Sequence, residues 1–108
     1  MSKFVSLGLS LILLASLSLA APKEQTFVGY ISDAMCGLKH GMAGMSDKEC
    51  TLACVKMGSK FVLADRVNKK VYQLSDQEKP REFAGEKVKV KGTLYGDTIE
   101  VSSIEAAR

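Results

Sequence analysis

Every cysteine in the chain, together with its only histidine, falls within 19 residues: Cys36, His40, Cys50 and Cys54. Thiolate and imidazole are the ligands that zinc collects in closed tetrahedral sites, and Cys3His is a common set. Thiolates also suit Cu(I), and Met35, Met42 and Met45 place three of the chain's five methionines, as soft thioether donors, in the same stretch. Cys50 and Cys54 are four residues apart, so on a helix both sulfurs lie on one face. Cys36 and His40 share that spacing on a segment suited to a turn or short helix. Two such pairs facing each other would hold one ion. With Zn2+, four protein ligands leave no open position and the site is structural. With Cu+ it becomes a carrier or buffer, with Met35, Met42 or Met45 delivering the ion. The C-x3-C spacing departs from the C-x2-C pair of the commonest zinc sites.

The same residues support other chemistry. Three cysteines cannot all pair within one chain, so a disulfide leaves one thiol over. A bridge inside one helical turn, Cys50 to Cys54, is strained. Cys36 bonded to Cys50 or Cys54 closes a loop of about 15 residues and adds roughly 3 kcal/mol. Cysteine and methionine also serve as ordinary core residues, and a lone histidine is commonly a surface residue. A thiol-dependent enzyme built on Cys36 and His40 would need a low-pKa, fast-alkylating Cys36. So short a chain offers little room for a cleft and an orienting third residue, and the expectation is a non-enzyme. There is no C-x-x-C-H for haem, no C-x-x-C for thioredoxin-like redox chemistry and no glycine-rich phosphate loop.

The elements that must position these residues follow an export signal. Lys3 precedes an apolar run from Phe4 to Leu19, and Ser18-Leu19-Ala20 ends it with small residues, so residues 1–20 read as a signal peptide cleaved after Ala20. The run is short for a membrane span. The expected protein is a single domain over 21–108, periplasmic or secreted, with no membrane attachment after cleavage. Losing Lys3 leaves 14 basic against 12 acidic residues, a net charge of +2, too mild to call for nucleic acid. A domain of this size buries little of its surface and gains from a staple.

Thr26–Ile31 reads as a first strand with a bend at Gly29, ended by Ser32-Asp33. Ser46-Asp47-Lys48-Glu49 is a capping box, predicting a helix from Asp47 to about Met57 with an apolar stripe of Cys50, Ala53, Cys54 and Met57. Strands follow at 60–64 and 70–74, and a short helix or turn between Ser75 and Gly85 is anchored by Phe83. A half-buried strand over 86–94 carries Val88, Val90 and Leu94 on one face and Lys87, Lys89 and Lys91 on the other. Gly96-Asp97 is a hairpin turn. The last strand, 98–104, slips phase near Ser102, where a bulge is expected. Five strands with a helical element between the third and fourth is the order of an OB-fold. The expected fold is therefore mainly β: a small five-stranded OB-like barrel with a helical Cys/His insert between strands 1 and 2.

Ser32-Asp33-Ala34-Met35-Cys36-Gly37, then His40, then Cys50-Thr51-Leu52-Ala53-Cys54-Val55 and Gly58, resembles a group of small exported bacterial proteins of uncharacterised function with an S-D-x-M-C-G…H…C-x3-C-V signature. The tail from Val88 to Val101 is similar to exported OB-fold domains. The resemblance spans about 26–104 and implies that Cys36, His40, Cys50 and Cys54 act as one unit. The sequence thus points to an exported small metal-binding protein holding Zn2+ or Cu+ through these four residues, with the ion and another exported protein as partners. The alternative is a disulfide-stapled OB-fold binding module without metal.

Overall fold

A computed structural model describes residues 22–39 and 44–107. The expected signal peptide lies outside them, as do two site candidates, His40 and Met42. Five strands and one helix follow in order: β1 (Glu24–Asp33), α1 (Asp47–Lys56), β2 (Phe61–Asp65), β3 (Lys70–Leu74), β4 (Lys87–Tyr95) and β5 (Thr98–Ala106). A 3-10 turn at Lys79–Phe83 joins β3 to β4. Among the described residues no helix is long and apolar enough to cross a membrane.

The strands hydrogen-bond in the order β1-β2-β3-β5-β4, and β4 returns to β1, so the ring is closed. Neighbours are antiparallel except β3 and β5, which meet in parallel through Gln73–Thr98 and Leu74–Ile99. Closure leaves no free edge. β1 has a partner on each edge, and the two ladders are staggered along it. From Glu24 to Tyr30 it pairs with β4, and from Tyr30 to Asp33 with β2. β1 is therefore longer at both ends than the expected 26–31. Its polar ends are carried by backbone pairing, which residue type does not report. Gly29 sits beside Tyr30, where the two ladders overlap, and a Cβ there would stand 2.6 Å from the Ala64 carbonyl oxygen. The glycine marks a close backbone approach at the bend.

The interior holds Ile31 from β1, Phe61 and Leu63 from β2, Leu74 from β3, Val88 and Val90 from β4, and Ile99 and Ile104 from β5. The alternation expected for β4 is present, with Lys87, Lys89 and Lys91 facing outward. β5 runs on to Ala106, past the expected 104. Its phase slip is a bulge: Lys91 faces Ser103 and Gly92 faces Val101, so Ser102 is the extra residue. Beyond β3, the Gln77 side chain continues the sheet in place of a strand. Its Oε1 accepts from the Phe61 amide at 2.8 Å, and its Nε2 donates to the Phe61 and Leu74 carbonyls. Phe83, the expected anchor of this connection, is partly buried and packs against the core, and Pro80 and Ala84 beside it are buried.

The connection also seats the helix. Ala84 lies beside Ile31, and the Gly85 amide donates to the Ile31 carbonyl at 2.8 Å. Gly85 takes φ +78°, and a Cβ there would stand 2.5 Å from the Lys48 nitrogen, at the start of α1. Gly96 also has positive φ, but nothing lies within 4 Å of its missing Cβ. We expect Gly85→Ala to destabilise the fold by about 1–3 kcal/mol, and Gly96→Ala by only about 1 kcal/mol of backbone strain. Urea midpoints compare the two; equal losses would mean that the first turn of α1 does not rest on Gly85.

Candidate metal centre

The helix carries two of the three cysteines, and its start is set by the capping box. The Ser46 hydroxyl accepts from the Glu49 amide at 3.1 Å, and the Glu49 carboxylate accepts from the Ser46 amide at 2.9 Å. These contacts hold the Glu49 carboxyl below its ordinary pKa. The helix ends at Lys56, with Met57 as its C-cap. The expected stripe of Cys50, Ala53, Cys54 and Met57 holds at its first three positions and fails at Met57. Cys50 and Cys54 are buried and Ala53 is half-buried, but Met57, the C-cap, is 63% exposed. Thr51 is buried in its place, and Leu52 and Val55 pack on the core.

Cys36 reaches the same point from the end of β1. Asp33, the last residue of β1, is fully buried, and its Oδ2 accepts from the amides of Met35 and Cys36 at 3.0 Å each. This is the aspartate turn that tolerates an abrupt change of direction. The turn is tied further by Gly37 N–H to the Asp33 carbonyl at 2.7 Å and by the Ser32 hydroxyl to the Gly37 carbonyl at 2.8 Å. Ser59 joins it to the helix: its Oγ accepts from the Met35 amide at 3.2 Å, and its own amide donates to the Cys54 carbonyl at 3.0 Å.

The three sulfurs converge. Cys36 Sγ lies 3.7 Å from Cys50 Sγ and 4.0 Å from Cys54 Sγ, and all three fall within 4.8 Å of one another. Four ligands at about 2.3 Å in a tetrahedron stand roughly 3.8 Å apart. The sulfurs are thus spaced for a common ion, and no disulfide joins them. Of the four residues singled out from sequence, the fold brings Cys36, Cys50 and Cys54 together, and His40 lies outside the described residues. Met35 and Met45 are exposed and fill no part of the core.

From the sequence Asp33 ends the first strand and falls within the signature segment, with no role of its own. The signal that marks it is an aspartate three residues before a cysteine, the spacing of an aspartate-capped turn. Its second oxygen, Oδ1, is buried without a hydrogen-bond partner among the described residues, as is the Thr51 hydroxyl. Burial pushes the Cys54 thiol up from an ordinary value of 9.0 to about 12, helped by its contact with Cys36 and the negative charge of Asp33. With no ion to stabilise a thiolate, the proton stays on sulfur.

A cleft of about 570 Å³ elsewhere on the ring includes Phe27, Tyr72, Tyr30 and Arg66 but none of the cysteines. Its walls hold a tilted Phe27–Tyr72 ring pair at 5.2 Å, and the Arg66 guanidinium lies 3.9 Å over the Tyr30 ring.

Among known families, residues 55–107 match a model described as a protein of unknown function, DUF5818. That match covers β2 to β5 and starts one residue after Cys54, so it contains none of the three cysteines. No curated protein and no solved structure matches the chain.

In metal-free, reduced protein at pH 8 we expect iodoacetamide to modify the half-buried Cys36 first. Cys54 should react slowest, its rate rising about tenfold per pH unit up to about pH 12. Peptide mass mapping over a time course reads the order; fast labelling of Cys54 at pH 8 would contradict its burial. The sign for stability follows. The unfolded thiol ionises near 9.0 and the folded one near 12, so metal-free protein should be unaffected below about pH 9 and lose stability between those values.

Proposed function

We propose that this chain is an exported small metal-binding protein in which Cys36, Cys50 and Cys54, with His40 as fourth ligand, hold one ion. Convergence of the three sulfurs on one point carries the reading. A disulfide uses two sulfurs and gives the third nothing to do; an ion uses all three. The sulfurs come from two separate elements, the turn after β1 and the helix α1, so an ion there ties the insert to the ring. For a domain this small, binding energy at such a site is folding energy.

The fold supports the same reading. A ring ordered β1-β2-β3-β5-β4, with β3 parallel to β5 and a helical turn between β3 and β4, fits an OB-like barrel. Its cysteine-bearing insert occupies the connection between the first two strands. Zn2+ would make the centre a structural staple. Cu+ would make it a carrier, with the exposed Met35 and Met45 delivering the ion to the sulfurs. Residues 1–20 direct export, which places the protein in the periplasm or outside the cell, with no catalytic role.

Native mass spectrometry of the mature chain, with metal analysis, tests this. The expected result is a mass one Zn or Cu ion above that of the bare chain, with three alkylatable thiols after unfolding. Cys36→Ser, Cys50→Ser and Cys54→Ser should each weaken Zn2+ binding by more than the roughly 10–100-fold that loss of an outer-shell partner costs. Replacing Met35 and Met45 by Leu should slow Cu+ loading and leave Zn2+ unchanged. A mass lower by two hydrogens, with no metal and one alkylatable thiol, would replace the metal centre with a disulfide.

A further inference from the structure

We propose that Asp33 is a positioning residue of this centre and that its carboxylate biases the site toward a divalent ion, Zn2+, over the monovalent Cu+. The inference rests on the metal-binding reading above and adds what that reading leaves open, the charge the site prefers.

Asp33 is the only acidic side chain among the described residues that is fully buried. One of its oxygens is committed: Oδ2 takes the amides of Met35 and Cys36 and so fixes where the Cys36 sulfur stands. The other, Oδ1, has no hydrogen-bond partner among the described residues, although the carboxylate lies close enough to the Cys54 thiol to act on it by side-chain contact as well as by charge. An unpaired buried carboxylate oxygen is costly, and native proteins retain one where a charge nearby compensates it. The aspartate's negative charge bears instead on the Cys54 thiol, two residues from the end of the helix. The oxygens of Asp33 do not join the group in which all donor atoms lie within 4.8 Å of one another. The carboxylate therefore acts from just outside the ligand shell.

Its effect differs between ions. Three thiolates around Cu+ leave a net charge of minus two, which a buried carboxylate worsens to minus three. The same groups around Zn2+ total minus two, the charge of an ordinary four-thiolate zinc site. At an effective dielectric of about 20, one unit of charge difference felt from roughly 5 Å is worth on the order of a hundredfold in relative affinity, less where water screens it. Softness still favours Cu+ at thiolates in absolute terms. What Asp33 changes is the ratio.

Asp33→Asn isolates that effect, because the amide oxygen can still accept from Met35 and Cys36 while the charge is gone. Affinities for Zn2+ and for Cu+ are measured by competition with a chromophoric chelator for each ion, on wild type, Asp33→Asn and Asp33→Glu. We expect Asp33→Asn to shift the Zn2+/Cu+ affinity ratio toward Cu+ by at least tenfold, with Asp33→Glu staying within about threefold of wild type. A purely structural role would weaken both ions alike, and a ratio unchanged in Asp33→Asn overturns the proposal. Should Asp33→Asn fold only with metal, the ratio is read by refolding it with each ion, so the result stands either way. If wild type binds neither ion, the metal centre itself fails; if wild type binds and the ratio holds, only the role of Asp33 fails.

Discussion

The arrangement depends on one constraint: β1 must bridge β4 and β2, one on each of its edges, to close the ring. In a closed ring every strand has one neighbour on each edge, and on β1 the two ladders are staggered along its length, overlapping at Tyr30, beside Gly29. The first half of β1 binds β4 and the second half binds β2. The second half then delivers Asp33 into the interior at the point where β2 ends its pairing, opposite Phe61. Everything the site needs follows from that endpoint. Asp33 caps the turn, the turn presents Cys36, and Ser59 joins the turn to the end of the helix.

The helix is fixed at its two ends by different means. Its start rests on Gly85, in the connection between β3 and β4, and is closed by the capping box of Ser46 and Glu49. Its end is held through Ser59 and by Val55 packing on the core. Cys50 and Cys54 lie between these supports, with their sulfurs turned to Cys36. Two of the thiols, Cys50 and Cys54, are buried and the third, Cys36, is half-buried beside them. One bound ion gives all three sulfurs a common purpose.

Much of this was legible in the sequence. The capping box located the helix start to the residue, because both of its hydrogen bonds are encoded by residue type at fixed spacing. The β4 alternation and the Ser102 bulge were legible because apolar phase reports which face is buried. Spacing also grouped Cys36, Cys50 and Cys54. Three features were not legible. The ends of β1 are polar and are held by ladder pairing, which depends on strands far away in the chain. The helical stripe failed at Met57, the exposed C-cap, because a 3.6-residue period does not report where along the helix the core ends. Asp33 looked like a strand breaker, since residue type does not say whether an aspartate at a strand end faces water or the interior.

The most direct test of the shared ion is X-ray absorption spectroscopy at the zinc edge on the purified, Zn2+-loaded mature protein. The expected first shell is three sulfurs at about 2.3 Å with one lighter nitrogen or oxygen donor. A shell of nitrogen and oxygen alone, or one with a single sulfur, would mean that the three cysteines do not share an ion and that their convergence serves packing only.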